Sequence, residues 1–211
     1  MGDSTTVMRG ERTRQAILDA AERLFLAQGY NGSSMRQIAQ EAGNIAVGGI
    51  YNHFSNKEDL FRALLQNRSP YPEFIATLES LEGENGPALL RQAFTKIQAI
   101  MRHHISFIRL ALIDLQESDG NILRSVAREV VPYAIKFMMR VHAAGGIRKQ
   151  VNLFTLARAF VSMTLGYFVT GLVAYKGDRP LLPGFPQMAD AVWQPAILDV
   201  LLYGLASDKE R

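Results

Sequence analysis

Apolar residues recurring with the period of an α-helix constrain this sequence more than any other feature. Between Thr13 and Gln28 they fall at Ile17, Ala20, Ala21, Leu24 and Phe25, the i, i+3, i+4, i+7 and i+8 positions of one helical face. Gly29 follows where a C-terminal cap belongs. Ser34 and Gln37 have the spacing of a capping box and open a second helix through Ile38 to Ala42, stopped by Gly43. A short segment from Val47 to Phe54 comes next. Ser55-Asn56-Lys57-Glu58 then repeats the capping pattern ahead of Leu60, Phe61, Leu64 and Leu65. Neither Asn31-Gly32 nor Asp119-Gly120 joins two alternating runs, so hairpin signals are missing. The pattern predicts an all-α fold.

Ser69-Pro70-Tyr71-Pro72 interrupts the helical pattern, because proline lacks a donor and disfavours helix in its predecessor. Longer helical runs follow. One extends from Pro87 to Gln116, interrupted around His103 to Ser106, and another from Asn121 to Ala144 with a kink at Pro132. Asn152 caps an apolar helix ending near Lys176, Gly177 to Gln187 reads as a loop, and Met188 to Ala206 gives the last helix. The expectation is about nine helices in two domains, residues 1–67 and 68–211.

Composition narrows the function. Of 211 residues, 48% are hydrophobic and 20% charged, which is globular make-up. Cysteine is absent, so disulfides, zinc–thiolate sites and thiol nucleophiles are excluded, and a reducing cytoplasm is the expected compartment. The N-terminus carries no apolar core of signal-peptide length. Met1-Gly2-Asp3 with Thr6 matches the myristoylation pattern only in a six-residue form that recurs by chance. The apolar run Ala159 to Tyr175 would reach about 25 Å as a helix against a hydrocarbon core of roughly 30 Å. It also contains Ser162, Thr164 and Thr170, so a helix buried in a soluble assembly is expected rather than a membrane span. No Ser-His-Asp spacing, phosphate-binding glycine loop or zinc-protease motif is present. His103 and His104 point about 100° apart on a helix and cannot share one metal undistorted. Asp114 and Glu117 lie at i, i+3 without an acid–base partner, which predicts solvation or pocket lining. No enzyme, cofactor or metal site is expected.

Two short helices joined by a Gly-containing turn, with a longer helix before them, point to a helix-turn-helix, whose second helix enters the major groove. The pair here is Ser34 to Ala42 and Val47 to Phe54. Val47, Gly48 and Gly49 are small enough for backbone to approach base edges, and Tyr51, Asn52 and His53 carry donors, with Lys57 opening the next helix. Ser34 and Arg36 can meet phosphates from the other side. By position, Tyr51, His53 and Lys57 are assigned to phosphates, and Asn52 and Val47 to an adenine edge and a thymine methyl. Residues 1–68 hold 8 Lys or Arg against 7 Asp or Glu, so binding depends on local clustering of Arg9, Arg12, Arg14, Arg36 and Lys57, and a modest salt slope is expected.

From Arg12 to Leu65 the chain resembles the N-terminal domain of the tetracycline-repressor (TetR) family of transcriptional regulators. The resemblance rests on the ordered series Ile17, Ala20-Ala21, Leu24-Phe25, Gly29-Tyr30, Ser34, Ile38-Ala39, Ala42-Gly43, Gly48, Tyr51, His53-Phe54 and Lys57-Glu58. The chain departs from the family pattern in the turn, which has one extra residue, in Ala46 where a capping Ser is usual, and in Gly49 where a hydroxyl is usual. The resemblance implies a homodimeric regulator, of repressor type, that grips double-stranded operator DNA and releases it when a small molecule binds among the C-terminal helices. Met101, His104, Phe107, Tyr133, Phe137, Met163 and Phe168 are the pocket candidates, and their Met and aromatic character predicts an apolar or aromatic effector. The two C-terminal helices are the expected dimer interface, since the first is apolar almost all round. The alternative is an all-α cytosolic small-molecule-binding protein that has no operator of its own.

Overall fold

A computed structural model describes residues 3–148, 150–176, 179–180 and 190–205. The described residues are helical apart from turns and one two-residue antiparallel pair, β1 (Tyr175–Lys176) with β2 (Arg179–Pro180). The expected loop from Gly177 to Gln187 falls mostly outside the described residues, as do Met1 and Gly2. The helices form two compact units: Met1–Pro70 with His104–Glu129, and Tyr71–His103 with Val130–Arg211. Chain order alone would place a single boundary near residue 67. Packing instead recruits a later pair of helices to the N-terminal ones.

The first unit begins with α1 (Asp3–Gln28), which starts ahead of the expected Thr13. Ile17, Leu18, Ala20, Ala21 and Phe25 are buried on it, so Leu18 joins the expected face while Leu24 stays half-exposed at its edge. The helix ends at Gly29, whose φ of 78° is the left-handed cap conformation and whose N–H donates to Phe25 O at 2.9 Å. α2 (Met35–Glu41) has the expected capping box: Ser34 Oγ accepts from Gln37 N–H, and Gln37 Oε1 accepts from Ser34 N–H. The short α3 (Val47–Tyr51) follows, and then α4 (Lys57–Arg68). The cap of α4 is displaced one residue from the expected Ser55–Glu58 register. Asn56 Oδ1 accepts from Asp59 N–H at 2.8 Å, and Asp59 Oδ2 accepts from Ser55 N–H at 2.9 Å. Asn caps as well as Ser, so the local sequence offered both registers.

Two more helices complete this unit, α7 (Ile105–Glu117) and α8 (Asn121–Ala127). α7 packs on α1 and α4, and α8 on α4 and α7. An aromatic cluster lies at the centre: Phe61 meets Phe25 edge-on with ring centroids 5.0 Å apart, and Tyr30 at 5.1 Å.

The second unit comprises α5 (Tyr71–Ser80), α6 (Gly86–His103), α9 (Val131–Ala143), α10 (Leu153–Ala174) and α11 (Asp190–Leu205). Pro72 and Pro132 each sit in a first helical turn, where the missing N–H costs no bond. Pro132 therefore divides the run expected from Asn121 to Ala144 into α8 and α9 rather than kinking it. The interruption expected near His103 is the single non-helical residue His104, between α6 and α7. Leu90 and Phe94, Phe137 and Val141, Leu156 and Phe160, and Leu198 and Leu202 pack as one core from α6, α9, α10 and α11. Inside it Gln98 Nε2 donates to Thr164 O at 2.9 Å, a polar tie of α6 to α10 that leaves the buried amide hydrogen-bonded.

Candidate DNA-binding surface

The turn that sets α3 against α2 is built from left-handed backbone. Gly43 has φ 103° and Asn44 has φ 57°, a conformation that Gly and Asn adopt more readily than other residues. Asn44 N–H then donates to Gln40 O and Ile45 N–H to Ala39 O, both at 3.0 Å, so the longer turn is fully knitted to the end of α2. Ala46 gives α3 no side-chain cap. Ile50 and Phe54 anchor the segment from beneath, buried at 0% and 3% exposure, with the Arg14 guanidinium 5.4 Å from the Phe54 ring centre.

On the outward side stand Gly48, Tyr51 and Asn52, all exposed, with Val47, Gly49 and His53 half-buried. A Cβ added at Gly48 or Gly49 would meet nothing within 4 Å. Neither glycine shows the positive φ that would call for one. Among the described residues nothing therefore requires their smallness. Glycine weakens a helix by about 1 kcal/mol relative to Ala, and no packing contact at either position offsets that cost.

The other expected contacts divide. Arg36 is exposed on α2, and among the described residues no carboxylate pairs with it. Ser34 is exposed, but its hydroxyl is engaged in the capping box, where it also donates to Gln37 Oε1 at 2.7 Å. Lys57 turns inward. Its Nζ donates to Tyr30 O at 2.9 Å and to Ser33 O at 3.0 Å, and lies 4.2 Å from the Tyr30 ring centre. Burial lowers its pKa from the ordinary lysine value, opposed by the nearby Glu117 charge. In this conformation the half-buried ammonium closes the loop between α1 and α2. Several other cations of the unit are also paired: Arg23 with Glu41 at 2.9 Å, Arg62 with Glu58 at 2.9 Å, and Arg68 with Glu22 at 2.7 Å and Asp19 at 2.5 Å.

Comparison with known proteins agrees with this geometry. The family described as bacterial regulatory proteins, tetR family, matches residues 17–64. The HTH-type transcriptional repressor BepR of Brucella suis biovar 1 (strain 1330) is 36% identical over 188 residues, covering 85% of this chain and 90% of BepR. The chain belongs to the tetR family.

Other likenesses are shorter or are likenesses of fold. The regulator AcrR of Shigella flexneri is 48% identical over 56 residues, 26% of each chain. The crystal structure of NalD, the secondary repressor of the MexAB-OprM multidrug efflux pump in Pseudomonas aeruginosa, is 24% identical, covers 94% of this chain and 99% of its own, and superposes with a TM-score of 0.67. As a tetR-family protein the chain is a DNA-binding transcriptional regulator, and its chemistry is recognition rather than turnover. Members of the family bind operator DNA as dimers and answer to small-molecule effectors.

Within this regulator the seven pocket candidates divide between the units. Tyr133 and Phe137 line a cleft of about 270 Å³ in the second unit, together with Leu78, Glu79, Lys136 and Arg140. Arg140 is already committed there, since its Nη1 donates to Leu78 O at 2.8 Å and closes the C-terminal end of α5. Met101 and Phe168 are buried, and Met163 packs on the core of the same unit. His104 and Phe107 belong to the first unit, where His104 Nδ1 lies 3.3 Å from Arg68 O and Phe107 is buried.

The i, i+3 spacing of Asp114 and Glu117 predicts solvation or pocket lining, and instead each carboxylate accepts a backbone N–H. Asp114 is fully buried, and its Oδ2 accepts from Leu123 N–H at 2.7 Å, capping the start of α8. Glu117 Oε2 accepts from Asn31 N–H at 2.6 Å, across 86 positions of chain. No local signal could have announced either partner, because both depend on which helices pack together.

Proposed function

We propose that this regulator is a repressor that binds a pseudo-palindromic operator as a homodimer and releases it when a small apolar or aromatic molecule binds the second unit. The observation that carries the DNA-reading part is the open glycine pair of α3 beside exposed Tyr51 and Asn52. Two copies of α3 would enter successive major grooves about 34–36 Å apart. Val47 and Asn52 are assigned to base edges, and Tyr51, His53 and Arg36 to phosphates, with Ser34 holding α2 in register. Lys57 serves the same end indirectly in the observed conformation, by fixing the loop that presents Ser34.

A selection of bound DNA from random sequence tests this reading. The wild-type chain should enrich one palindromic motif, and Asn52→Ala should relax preference at one symmetric pair of positions. An unaltered motif would move the base-reading role to another residue. Gly48→Ala separates folding from recognition. Its melting temperature should hold or rise, because Ala favours helix by about 1 kcal/mol, while operator affinity falls. Equal affinity would mean that no backbone approach occurs there. A chain that enriches no motif at all would favour the alternative of a small-molecule-binding protein without an operator.

The dimer reading rests on α10 and α11. Phe154 is 77% exposed and Val200 73%, and Val161, Leu165, Val169 and Val173 are also exposed. Although α10 is long and apolar enough to cross a membrane by length and composition, only 22% of its apolar window is buried within one chain. A second copy, in a cytoplasmic protein, covers such a face as well as lipid would. A Cβ added at Gly166 would meet nothing within 4 Å, and Thr170 satisfies its hydroxyl inside the helix by donating to Gly166 O at 2.7 Å. At these two positions the outward side is therefore small and without an unmet donor, which suits close helix packing. For the effector, the cleft lined by Tyr133 and Phe137 offers an aromatic wall beside Lys136 and Arg140.

A further inference from the structure

We infer that Glu117 is a positioning residue for operator binding: its carboxylate holds the loop between α1 and α2, and through that loop the placement of α2 and α3. The inference rests on the reading of α3 as the DNA-facing helix. Glu117 is the last residue of α7, and its Oε2 accepts the Asn31 N–H at 2.6 Å. A charge-assisted bond of that length is among the stronger hydrogen bonds a side chain makes. The other oxygen lies against Gly29, where a Cβ would come within 2.5 Å of Oε1. Gly29 thus serves two ends at once, the left-handed turn and the room for this carboxylate.

From the opposite charge, Lys57 ties the same short loop at Tyr30 O and Ser33 O. Ser33 is buried and donates to Gly29 O at 2.8 Å, closing the loop on itself. The next residue is Ser34, the cap that starts α2. A carboxylate from α7 and an ammonium from α4 therefore brace the stretch from Gly29 to Ser33 that sets where α2 begins. Lys57 and Glu117 attract one another as well, since the Glu117 charge favours the ammonium.

The alternative account of a surface carboxylate on a DNA-binding unit predicts the opposite sign. Removing a negative charge there should strengthen binding to any phosphate backbone. Removing a positioning contact should weaken binding to the operator alone.

The test compares wild type, Glu117→Ala and Glu117→Gln on the selected operator and on an unrelated duplex of equal length. Glu117→Ala should lose about tenfold in operator affinity, with binding to the unrelated duplex unchanged or tighter. Glu117→Gln keeps an oxygen acceptor and should recover most of that loss. Hydrogen exchange supplies the second readout: the Asn31 amide should exchange faster in Glu117→Ala, while the buried amides of Ile38 and Ala39 keep their protection. Operator affinity equal to wild type in Glu117→Ala, or an Asn31 amide that exchanges at an unchanged rate, would overturn the inference. So would a Gln variant as weak as the Ala variant. Failure of the wild type to bind any operator would instead remove the DNA-reading proposal, so the two outcomes are distinguishable.

Discussion

Gly166→Glu combined with Thr170→Glu is expected to turn the regulator into monomers or aggregates and to abolish cooperative operator binding. Both positions lie on the outward side of α10, among exposed Val161, Leu165, Val169 and Val173. Gly166 faces open space, and among the described residues the Thr170 hydroxyl bonds only within its own helix, so the fold of one copy should tolerate the change and the assembly should not. The new carboxylates of both copies would be pressed together along a helix pair of low dielectric. Isolated carboxylates avoid such surroundings at a cost of several kcal/mol each. Sedimentation should then shift from about twice the 23.5 kDa chain mass to that mass itself. A soluble, folded wild-type monomer at micromolar concentration would overturn the interface and the paired-groove geometry together.

Phe61→Ala is the second large effect. The ring is fully buried on α4 between Phe25 of α1 and Tyr30 of the following loop, at centroid distances of 5.0 Å and 5.1 Å. Truncating a buried Phe costs about 3–5 kcal/mol, from the lost apolar transfer and the cavity left behind. Whole domains are stable by only about 5–15 kcal/mol, so most of the first unit's stability would go. Circular dichroism should show a markedly lower first melting transition, and operator binding should fail at temperatures where the wild type binds. Because α10 and α11 belong to the other unit, the dimer should survive. Simultaneous loss of dimer and DNA binding would show that the two units fold as one.

Much of the recognition unit is legible in the chain itself. Ser34 and Gln37 cap α2 as their spacing predicts, Gly29 ends α1, and Asn152 caps α10 by accepting from Thr155 N–H at 2.8 Å. The residues of the α3 segment divide into buried Ile50 and Phe54 and exposed Tyr51 and Asn52, as an amphipathic segment packed on one face requires. Less is legible for the charged residues. Position in the motif assigns Lys57 to a phosphate, yet its ammonium sits on two carbonyls. Arg68 carries a raised pKa despite its burial because Glu22 and Asp19 bond to it. The burial of Tyr30, reinforced by Glu58 and Asp114, raises its pKa in turn.

Periodic faces and caps in the chain announce the all-α class, the helix-turn-helix and most of the helices, because those signals are written within about four residues of one another, although nothing in them marked α5 or the division of α8 from α9. The tertiary structure decided which charges meet. Arg68 reaches back 46 and 49 positions to Glu22 and Asp19, and Glu117 reaches 86 to Asn31. It also decided that α7 and α8 pack with the N-terminal helices, giving a unit of two chain segments where chain order suggested one. Local backbone preference fixes an element, but a long side chain finds its partner only after apolar faces have chosen theirs. That choice depends on the whole core at once, and no window of sequence contains it.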